Sequence, residues 1–241
     1  MSALLSVQGV SKRFRGLVAV DRVSFEVPEG GIFAVIGPNG AGKTTLFNMI
    51  AGMFPPDGGS ITFAGERIEH LPADGICRRG IGRTFQIVRP FPGLSVEDNV
   101  IVGALLHRRH VDAARVHAHE VLRRLDLYDK RIQRASALTL PDRKRLEMAR
   151  ALATDPKLLL LDETMAGLRP TETDRIVAIL RELNRETGLT ILLIEHVMRA
   201  VMALAAHILV LHHGATIAQG APEQIVRDPA VIESYLGVET V

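Results

Sequence analysis

Residues 37–44 read GPNGAGKT, and this glycine-rich run constrains the fold of the chain more than any other segment. It follows the apolar run 31–36 and leads into residues 45–51, whose apolar side chains recur at helical spacing. Glycines let the backbone N–H groups of such a loop curl around a polyphosphate, and the next helix points its positive end at the same anion. A strand, a glycine-rich turn and a helix in this order predict a phosphate-binding loop.

The residue types in the loop predict a bound nucleoside triphosphate with magnesium. The Lys43 ammonium can reach the β- and γ-phosphate oxygens, and the Thr44 hydroxyl can ligate Mg²⁺. The residues predicted to bind ATP in this loop and at the start of its helix are Gly37, Pro38, Asn39, Gly40, Ala41, Gly42, Lys43, Thr44 and Thr45.

The composition is that of an ordered globular protein that does not cross a membrane by itself. Of the 241 residues, 47% are hydrophobic and 23% are charged. The most apolar late segment, 201–211, is too short to span a bilayer, and no secretory signal is visible. The single cysteine, Cys77, excludes an internal disulfide. A net charge of only +2 and 4% aromatic residues lead us to expect no nucleic-acid partner.

The order of patterns along the chain predicts an α/β protein. Short strands are predicted at 4–10, 23–27, 32–36 and 60–64, and residues 88–153 are rich in helical spacing. After the buried strand 158–161 we expect a helix over 171–187, a strand over 189–194 and a closing hairpin formed by 206–211 and 215–218. Strands that alternate with helices favour a parallel sheet.

Two carboxylates end the apolar run LLLLDE at residues 158–163. A buried parallel strand places Asp162 and Glu163 at its carboxyl end, where open α/β sheets bind ligands. Asp162 is predicted to hold Mg²⁺ through water, and Glu163 to polarise or deprotonate the water that attacks the γ-phosphorus.

With these motifs in this order, nearly the whole chain resembles the ATP-binding subunits of ABC transporters. The resemblance implies that Phe14 stacks on adenine, that Gln86 touches Mg²⁺ and the attacking water, and that His196 contacts the γ-phosphate. It makes Glu163, His196, Gln86 and Lys43 the candidate catalytic residues. Thr44, Gln86 and Asp162 are the candidate magnesium residues.

The resemblance also implies the architecture: an α/β P-loop NTPase (RecA-like) core with an N-terminal antiparallel β-subdomain and an inserted α-helical subdomain. We expect residues 1–87 and 154–220 to form the β-subdomain and ATP-binding core, and residues 88–153 to form the helical subdomain with its signature region. Residues 221–241 are expected to form a C-terminal helical tail.

Within that superfamily, several segments are similar to the uptake group for branched-chain or other hydrophobic amino acids, among them GIGRTFQ at 80–86 and RLEMAR at 145–150. Subunits for urea, short amides and aromatic acids are closely similar. The resemblance implies an ATPase that works with a second ATPase subunit, a paralogue or an identical copy. It also implies two permeases and, indirectly, a solute-binding protein, with the subunit peripheral on the cytoplasmic face of the inner membrane. A soluble non-transport ABC ATPase and a nucleotide-binding regulatory module with little turnover are the alternatives.

The family's signature loop, LSGGQ, is replaced here by Leu138, Thr139, Leu140, Pro141 and Asp142. In the family this loop reaches ATP held by the other subunit. Leu140 adds bulk where glycine is needed, and Pro141 lacks an N–H donor. We expect Asp142 to bring negative charge towards that phosphate site, and Pro141 to take the first position of a sound helix.

Two groups of basic residues suggest other sites. Four histidines at 107, 110, 117 and 119 lack metal-site spacing, and we expect a solvated helical face. The arginines at 78, 79, 83 and 89 lie near Gln86, where they are expected to border the groove for a permease coupling helix.

Overall fold

The computed structural model describes residues 3–86, 88 and 90–236. Two sheets organise these residues. In chain order the strands are β1 (Ala3–Phe14), β2 (Leu17–Pro28), β3 (Ile32–Ile36), β4 (Gly58–Phe63), β5 (Glu66–Arg67), β6 (Ile81–Arg83), β7 (Leu158–Asp162), β8 (Thr190–Ile194), β9 (His207–His212) and β10 (Ala215–Gly220). The helices are α1 (Lys43–Ile50), α2 (Ala73–Arg78), α3 (Val96–Ala104), α4 (Val111–Arg124), α5 (Leu140–Leu152), α6 (Pro170–Thr187), α7 (Met198–Leu204), α8 (Pro222–Ile225) and α9 (Pro229–Leu236).

The four-stranded sheet is antiparallel and has the order β2-β1-β4-β5. Leu5 of β1 lies opposite Val27 on one side and Phe63 on the other, and all three side chains are buried. Burial alternates along much of β1 and β2, as expected for a sheet with one face on the core.

The six-stranded sheet has the order β10-β9-β3-β8-β7-β6. Its strands are parallel from β6 to β9, and β10 pairs antiparallel at the edge. Every residue of β3, β7 and β8 is buried, because helices or the other sheet cover both faces. The carboxyl ends of these three strands carry the candidate site.

The parallel sheet separates two hydrophobic cores. Phe33 and Val35 of β3 pack with the antiparallel sheet and helix α1. Ile32, Ala34 and Ile36 point to the opposite core, where they join apolar residues of α5, α6 and α7. This alternation follows from the twofold side-chain period of a strand, and it makes β3 the centre of the molecule.

The predicted fold class is confirmed: an antiparallel sheet, a P-loop core and a group of helices share one chain. Helices α3, α4 and α5 lie between β6 and β7, inside the range 88–153 assigned to a helical subdomain, and the division into subdomains stays a prediction. Within the described residues, no helix is both long and apolar enough to cross a membrane.

Some boundaries differ from those predicted. Strands β1 and β2 continue beyond 10 and before 23 into one long hairpin, whose exposed, basic tip hides the alternating pattern. The C-terminal tail predicted over 221–241 contains two short helices, the single turn α8 and the helix α9. Residues 237–241 of the expected tail lie outside the described residues.

Candidate nucleotide-binding site

The phosphate loop follows β3 and is closed in by backbone on two sides. Gly37 has φ +147°, and a Cβ atom there would lie 2.1 Å from the carbonyl oxygen of Leu211 in β9. Gly42 caps helix α1 with φ +101°, and its Cβ would lie 2.3 Å from the carbonyl oxygen of Ala19 in β2. Glycine is required at both positions because neither the backbone conformation nor the space admits a side chain.

Lys43 is buried at the mouth of this loop. Its ammonium donates to the carbonyl oxygens of Gly37, at 2.7 Å, and Pro38, at 2.9 Å. Burial lowers the pKa of Lys43, while the nearby carboxylates of Glu163 and Asp162 oppose that effect. The loop therefore presents a desolvated cation that two carbonyls orient towards the site.

An open cavity of about 440 Å³ lies in front of the loop, a volume suited to a small organic ligand. The structure brings Phe14, Gln86 and Glu163 to this cavity together with residues 39–45. Phe14 is 44% exposed and meets Phe54 edge-on at 5.4 Å. Lining residues that the sequence did not predict are Leu17, Val18, Ala19 and His213. They stand in a strand and a turn without a motif, so only the tertiary fold reveals them.

Glu163 occupies a strained turn directly after β7. Its φ is +48°, and its N–H donates to the Ile194 carbonyl oxygen at 2.9 Å. The Lys144 ammonium donates to its carbonyl oxygen at 2.9 Å, and the Gln86 amide donates to its Oε2 at 2.7 Å. Left-handed backbone at a non-glycine residue persists where surrounding contacts hold it, and these contacts aim the carboxylate into the cavity.

Asp162 is buried at the end of β7. Its Oδ2 accepts a hydrogen bond from Arg83 at 3.1 Å, while its buried Oδ1 has no hydrogen-bond partner among the described residues. Burial raises the pKa of Asp162, and the Arg83 guanidinium opposes that rise. An unpaired carboxylate oxygen beside a phosphate loop is a ready ligand for a cation or for water bound to one.

His196 lies exposed two residues beyond Ile194, the last residue of β8. It is not among the described residues that line the cavity. The hydrogen bond from the Glu163 N–H to the Ile194 carbonyl oxygen places the end of β8 beside the turn at Glu163. The contact of His196 with the γ-phosphate stays a prediction.

Two histidines of helix α4 pair with acidic side chains of neighbouring segments. His117 lies 3.0 Å from Asp155 and His119 lies 2.9 Å from Glu97, and both side chains are largely covered. The expectation of a solvated helical face was therefore wrong for these two histidines, because each is paired with an acidic side chain from a neighbouring segment. No group of three or more histidine, cysteine or acidic side chains in the described chain is arranged as a metal site.

Comparison with known proteins decides the family. A family model described as ABC transporter matches residues 20–166, and one described as branched-chain amino acid ATP-binding cassette transporter matches residues 215–241. The chain belongs to the ABC transporter family.

Two relatives within that family match over nearly their whole length. The chain is 41% identical to the high-affinity branched-chain amino acid transport ATP-binding protein BraF of Pseudomonas aeruginosa, over 97% of this chain and 98% of that protein. LivG of Escherichia coli strain K12, described in the same terms, is 42% identical over the same shares.

Solved ABC cassettes share the fold. The ADP conformation of the cassette MJ1267 matches with a TM-score of 0.90 and 30% identity, covering 98% of this chain and 100% of that one. A dimeric cassette, MJ0796, matches with a TM-score of 0.83 at 24% identity, covering 90% of this chain and 98% of that one.

Asp142, in the segment that replaces the ABC signature, is turned inward and paired within its own chain. Its carboxylate is buried and accepts hydrogen bonds from Lys130 and Arg145, and from the Thr139 hydroxyl at 2.7 Å. Burial alone would raise the pKa of Asp142, but these donors lower it overall. The expectation that Asp142 brings charge to the trans site was wrong, because two basic side chains bind it within its own chain.

The rest of that segment fits the sequence analysis more closely. Helix α5 begins at Leu140 with Thr139 as its cap, so Pro141 takes the second position rather than the first, and Asp142 lies in the first turn. The Leu138 side chain is buried, whereas Leu140 is 46% exposed. What this segment offers a partner is an apolar side chain and a proline without an N–H.

A groove of about 480 Å³ lies next to Gln86 and is also lined by Thr44 of the phosphate loop and by Asp162. Phe85, 48% exposed, lines it together with the buried acid Glu147. Arg83 also borders the groove, but its guanidinium turns inward to Asp162. Arg89, which was expected at this border, lies outside the described residues.

Proposed function

We propose that this protein is the ATP-hydrolysing, energy-coupling subunit of an ABC importer for branched-chain or other hydrophobic amino acids. The observation that carries the proposal is one cavity in which the phosphate loop, Gln86 and Glu163 face each other. The full-length similarity to BraF and LivG, described as branched-chain amino acid transport ATP-binding proteins, supports the class of solute. The subunit works on the cytoplasmic face of the inner membrane.

ATP binds with its phosphates in the loop and its base against Phe14. Backbone N–H groups of residues 39–45 and the N-terminal end of α1 favour the polyphosphate. When ATP binds, the Lys43 ammonium leaves the Gly37 and Pro38 carbonyl oxygens and donates to β- and γ-phosphate oxygens. The negative phosphates then pair with the buried positive charge of Lys43.

The residues at the site fit a magnesium ion. Mg²⁺ takes oxygen ligands and keeps several waters beside substrate phosphates. The exposed Thr44 hydroxyl, the Gln86 amide oxygen and the unpaired Oδ1 of Asp162 are the oxygens available, with Asp162 acting through water. When bound, the ion neutralises charge that develops on the transferred phosphoryl group.

Hydrolysis relies on positioning. The Glu163 carboxylate takes the proton of the attacking water, and the Gln86 amide, 2.7 Å from Glu163 Oε2, orients both. His196 binds the γ-phosphate once the end of β8 approaches it. Lys43 stabilises the transferred group electrostatically.

The direct test uses the assembled transporter and a conservative variant. Glu163→Gln keeps the shape of the side chain but removes the base, so ATPase activity should fall by roughly 10²–10⁴-fold while ATP binding persists. Glu182→Gln, on a side chain that is 64% exposed on α6, is the matched control and should hydrolyse normally. Equal activities in the two variants would refute the role given to Glu163.

The proposed partners are a second ATPase subunit and two permeases, with a solute-binding protein acting through the permeases. The groove beside Gln86 receives a permease coupling helix, because it joins exposed apolar surface at Phe85 to the segment that senses the nucleotide. Two ATPase subunits close around two MgATP, and closure shifts the permeases between their two states.

The second ATPase subunit is a paralogue with a complete signature. Pro141 supplies no N–H and Leu140 adds bulk, so this chain completes the partner's ATP site poorly, whereas its own ATP is completed by the partner. Glu163→Gln should then remove most of the ATPase activity of the assembled transporter, and the equivalent change in the partner should remove little. Equal losses would exclude this asymmetry.

A further inference from the structure

Arg83 connects three parts of the site that are distant in sequence. It ends β6 and lies three residues before Gln86, with a side chain that is 9% exposed. The guanidinium donates to Asn48 Oδ1 on α1 at 2.7 Å and to Asp162 Oδ2 on β7 at 3.1 Å. Its Cζ lies 5.1 Å from the centre of the Phe85 ring.

Among the residues that the structure describes, Arg83 is the charged side chain within hydrogen-bonding distance of Asp162. The carboxylate is 2% exposed, and removing one member of a buried ion pair leaves the other charge desolvated and unpaired. Arg83 is itself well placed to keep one geometry, because the phosphate-loop helix and an aromatic ring contact its planar group from different directions.

The two carboxylate oxygens of Asp162 differ in their hydrogen bonding. Arg83 occupies Oδ2, whereas Oδ1 is buried without a partner among the described residues. Asp162 lines the groove beside Gln86, which shares Thr44 and Gln86, the other two candidate magnesium residues, with the cavity in front of the phosphate loop. A partner that fixes a metal-facing carboxylate through its second oxygen typically changes metal affinity by about 10–100-fold.

We propose that Arg83 is a positioning residue. By binding Oδ2 of Asp162, Arg83 directs Oδ1 towards the magnesium residues Thr44 and Gln86. It also connects Asp162 to the chain segment that leads to Gln86. This inference rests on the proposed function, since it assumes that MgATP is the ligand. Arg83 acts through Asp162, since its guanidinium is bound to Asn48 Oδ1 and Asp162 Oδ2.

The test measures the full-length chain alone, without turnover. Binding of a fluorescent ATP analogue is titrated with Mg²⁺ and again with EDTA, and the ratio of the two affinities is the magnesium dependence. Arg83→Met should lower that ratio by about 10-fold or more, and Arg83→Lys should restore part of it. Arg79→Met, which removes an arginine paired with Glu66 at the surface, is the matched control and should keep the wild-type ratio.

A second measurement follows melting without nucleotide or metal. Arg83→Met should lower Tm by roughly 6–15 °C, and adding Asp162→Asn should recover most of that loss because the unpaired charge is gone. If Arg83→Met melts too low for titration, the Arg83→Lys ratio decides, and it should lie between those of the wild type and Asp162→Asn.

Two results would overturn the proposal, and they are distinguishable. A magnesium dependence in Arg83→Met within twofold of wild type, with the ratio collapsed in Asp162→Asn, overturns the positioning role and leaves the proposed function intact. An unchanged ratio in Asp162→Asn overturns the magnesium assignment of Asp162 in the proposed function, and the positioning role falls with it.

Discussion

Asp142→Asn is the substitution that best separates the two interpretations of the altered signature. In the structure the Asp142 carboxylate is 3% exposed and binds Arg145, which is 9% exposed, as well as Lys130, which is 38% exposed. An asparagine has nearly the same shape but no charge. The substitution therefore removes an ion pair without creating a cavity.

The expected loss of stability can be estimated from these contacts. Breaking a buried pair costs about 3–5 kcal/mol, but Arg145 also donates to the carbonyl oxygens of Leu125 and Asp126, and Lys130 can return to water. We therefore expect about 2–3 kcal/mol, since asparagine still accepts a hydrogen bond from Thr139. For a domain of this length that lowers Tm by about 4–12 °C.

Thermal melting at neutral pH, followed by circular dichroism, is the assay. Asp112→Asn is the matched control, because that side chain is 96% exposed and pairs with Arg115 at the surface. The control should melt within about 2 °C of the wild type. The pH dependence supplies a second check on Asp142 itself.

The sign of that pH dependence follows from the lowered native pKa of Asp142. Its stabilising contribution is full above the ordinary carboxyl pKa of 3.8 and is lost as pH falls through the lower native value. The Tm difference between wild type and Asp142→Asn should therefore shrink in acid. If Asp142→Asn melts like the control at every pH and raises ATPase activity in the assembled transporter, the stabilising role of Asp142 is refuted. The Asp142 carboxylate would then face the phosphate of the partner's ATP.

Three further substitutions test other parts of the site. Gly37→Ala should lower Tm and should lower ATP affinity by more than about 10-fold, because the new Cβ would lie 2.1 Å from a carbonyl oxygen. Gly16→Ala is the control, since Gly16 has open space around it, and should change neither Tm nor ATP affinity. Burial raises the pKa of Glu195, so its stabilising contribution is full below the ordinary value of 4.5 and is lost as pH rises through the native value. Measured from pH 4 to 8, the Tm of Glu195→Gln should therefore rise relative to the wild type as pH increases. Phe14→Ala should weaken ATP binding by roughly 2–10-fold in a fluorescence titration, and Phe91→Ala, also exposed, should leave it unchanged.

The parts of the fold that the sequence predicts are those determined by local chemistry. The phosphate loop is readable because Gly37 and Gly42 occupy backbone conformations that other residues avoid, and because a buried strand and a helix flank them. The run that ends in Asp162 and Glu163 is readable for the same reason: a strand buried on both faces must be continuously apolar.

The directions of charged side chains are not readable in this way. Asp142 turns inward because Lys130 and Arg145 bring positive charge to it, and no local pattern distinguishes that arrangement from a carboxylate facing a partner. Arg83 stands among arginines that look like surface residues, and only the pairing of β6 with β7 brings it to Asp162. His213 reaches the cavity from a turn that carries no motif.

Uptake into proteoliposomes shows whether ATP hydrolysis in this cavity drives amino-acid import. The assembled transporter with its binding protein is supplied with labelled leucine on the binding-protein side and MgATP on the side of this subunit. Leucine should accumulate in step with ATP hydrolysis in the wild type, and this accumulation should be lost with Glu163→Gln. Accumulation that persists in Glu163→Gln, or wild-type hydrolysis that ignores leucine while none is taken up, would contradict this prediction.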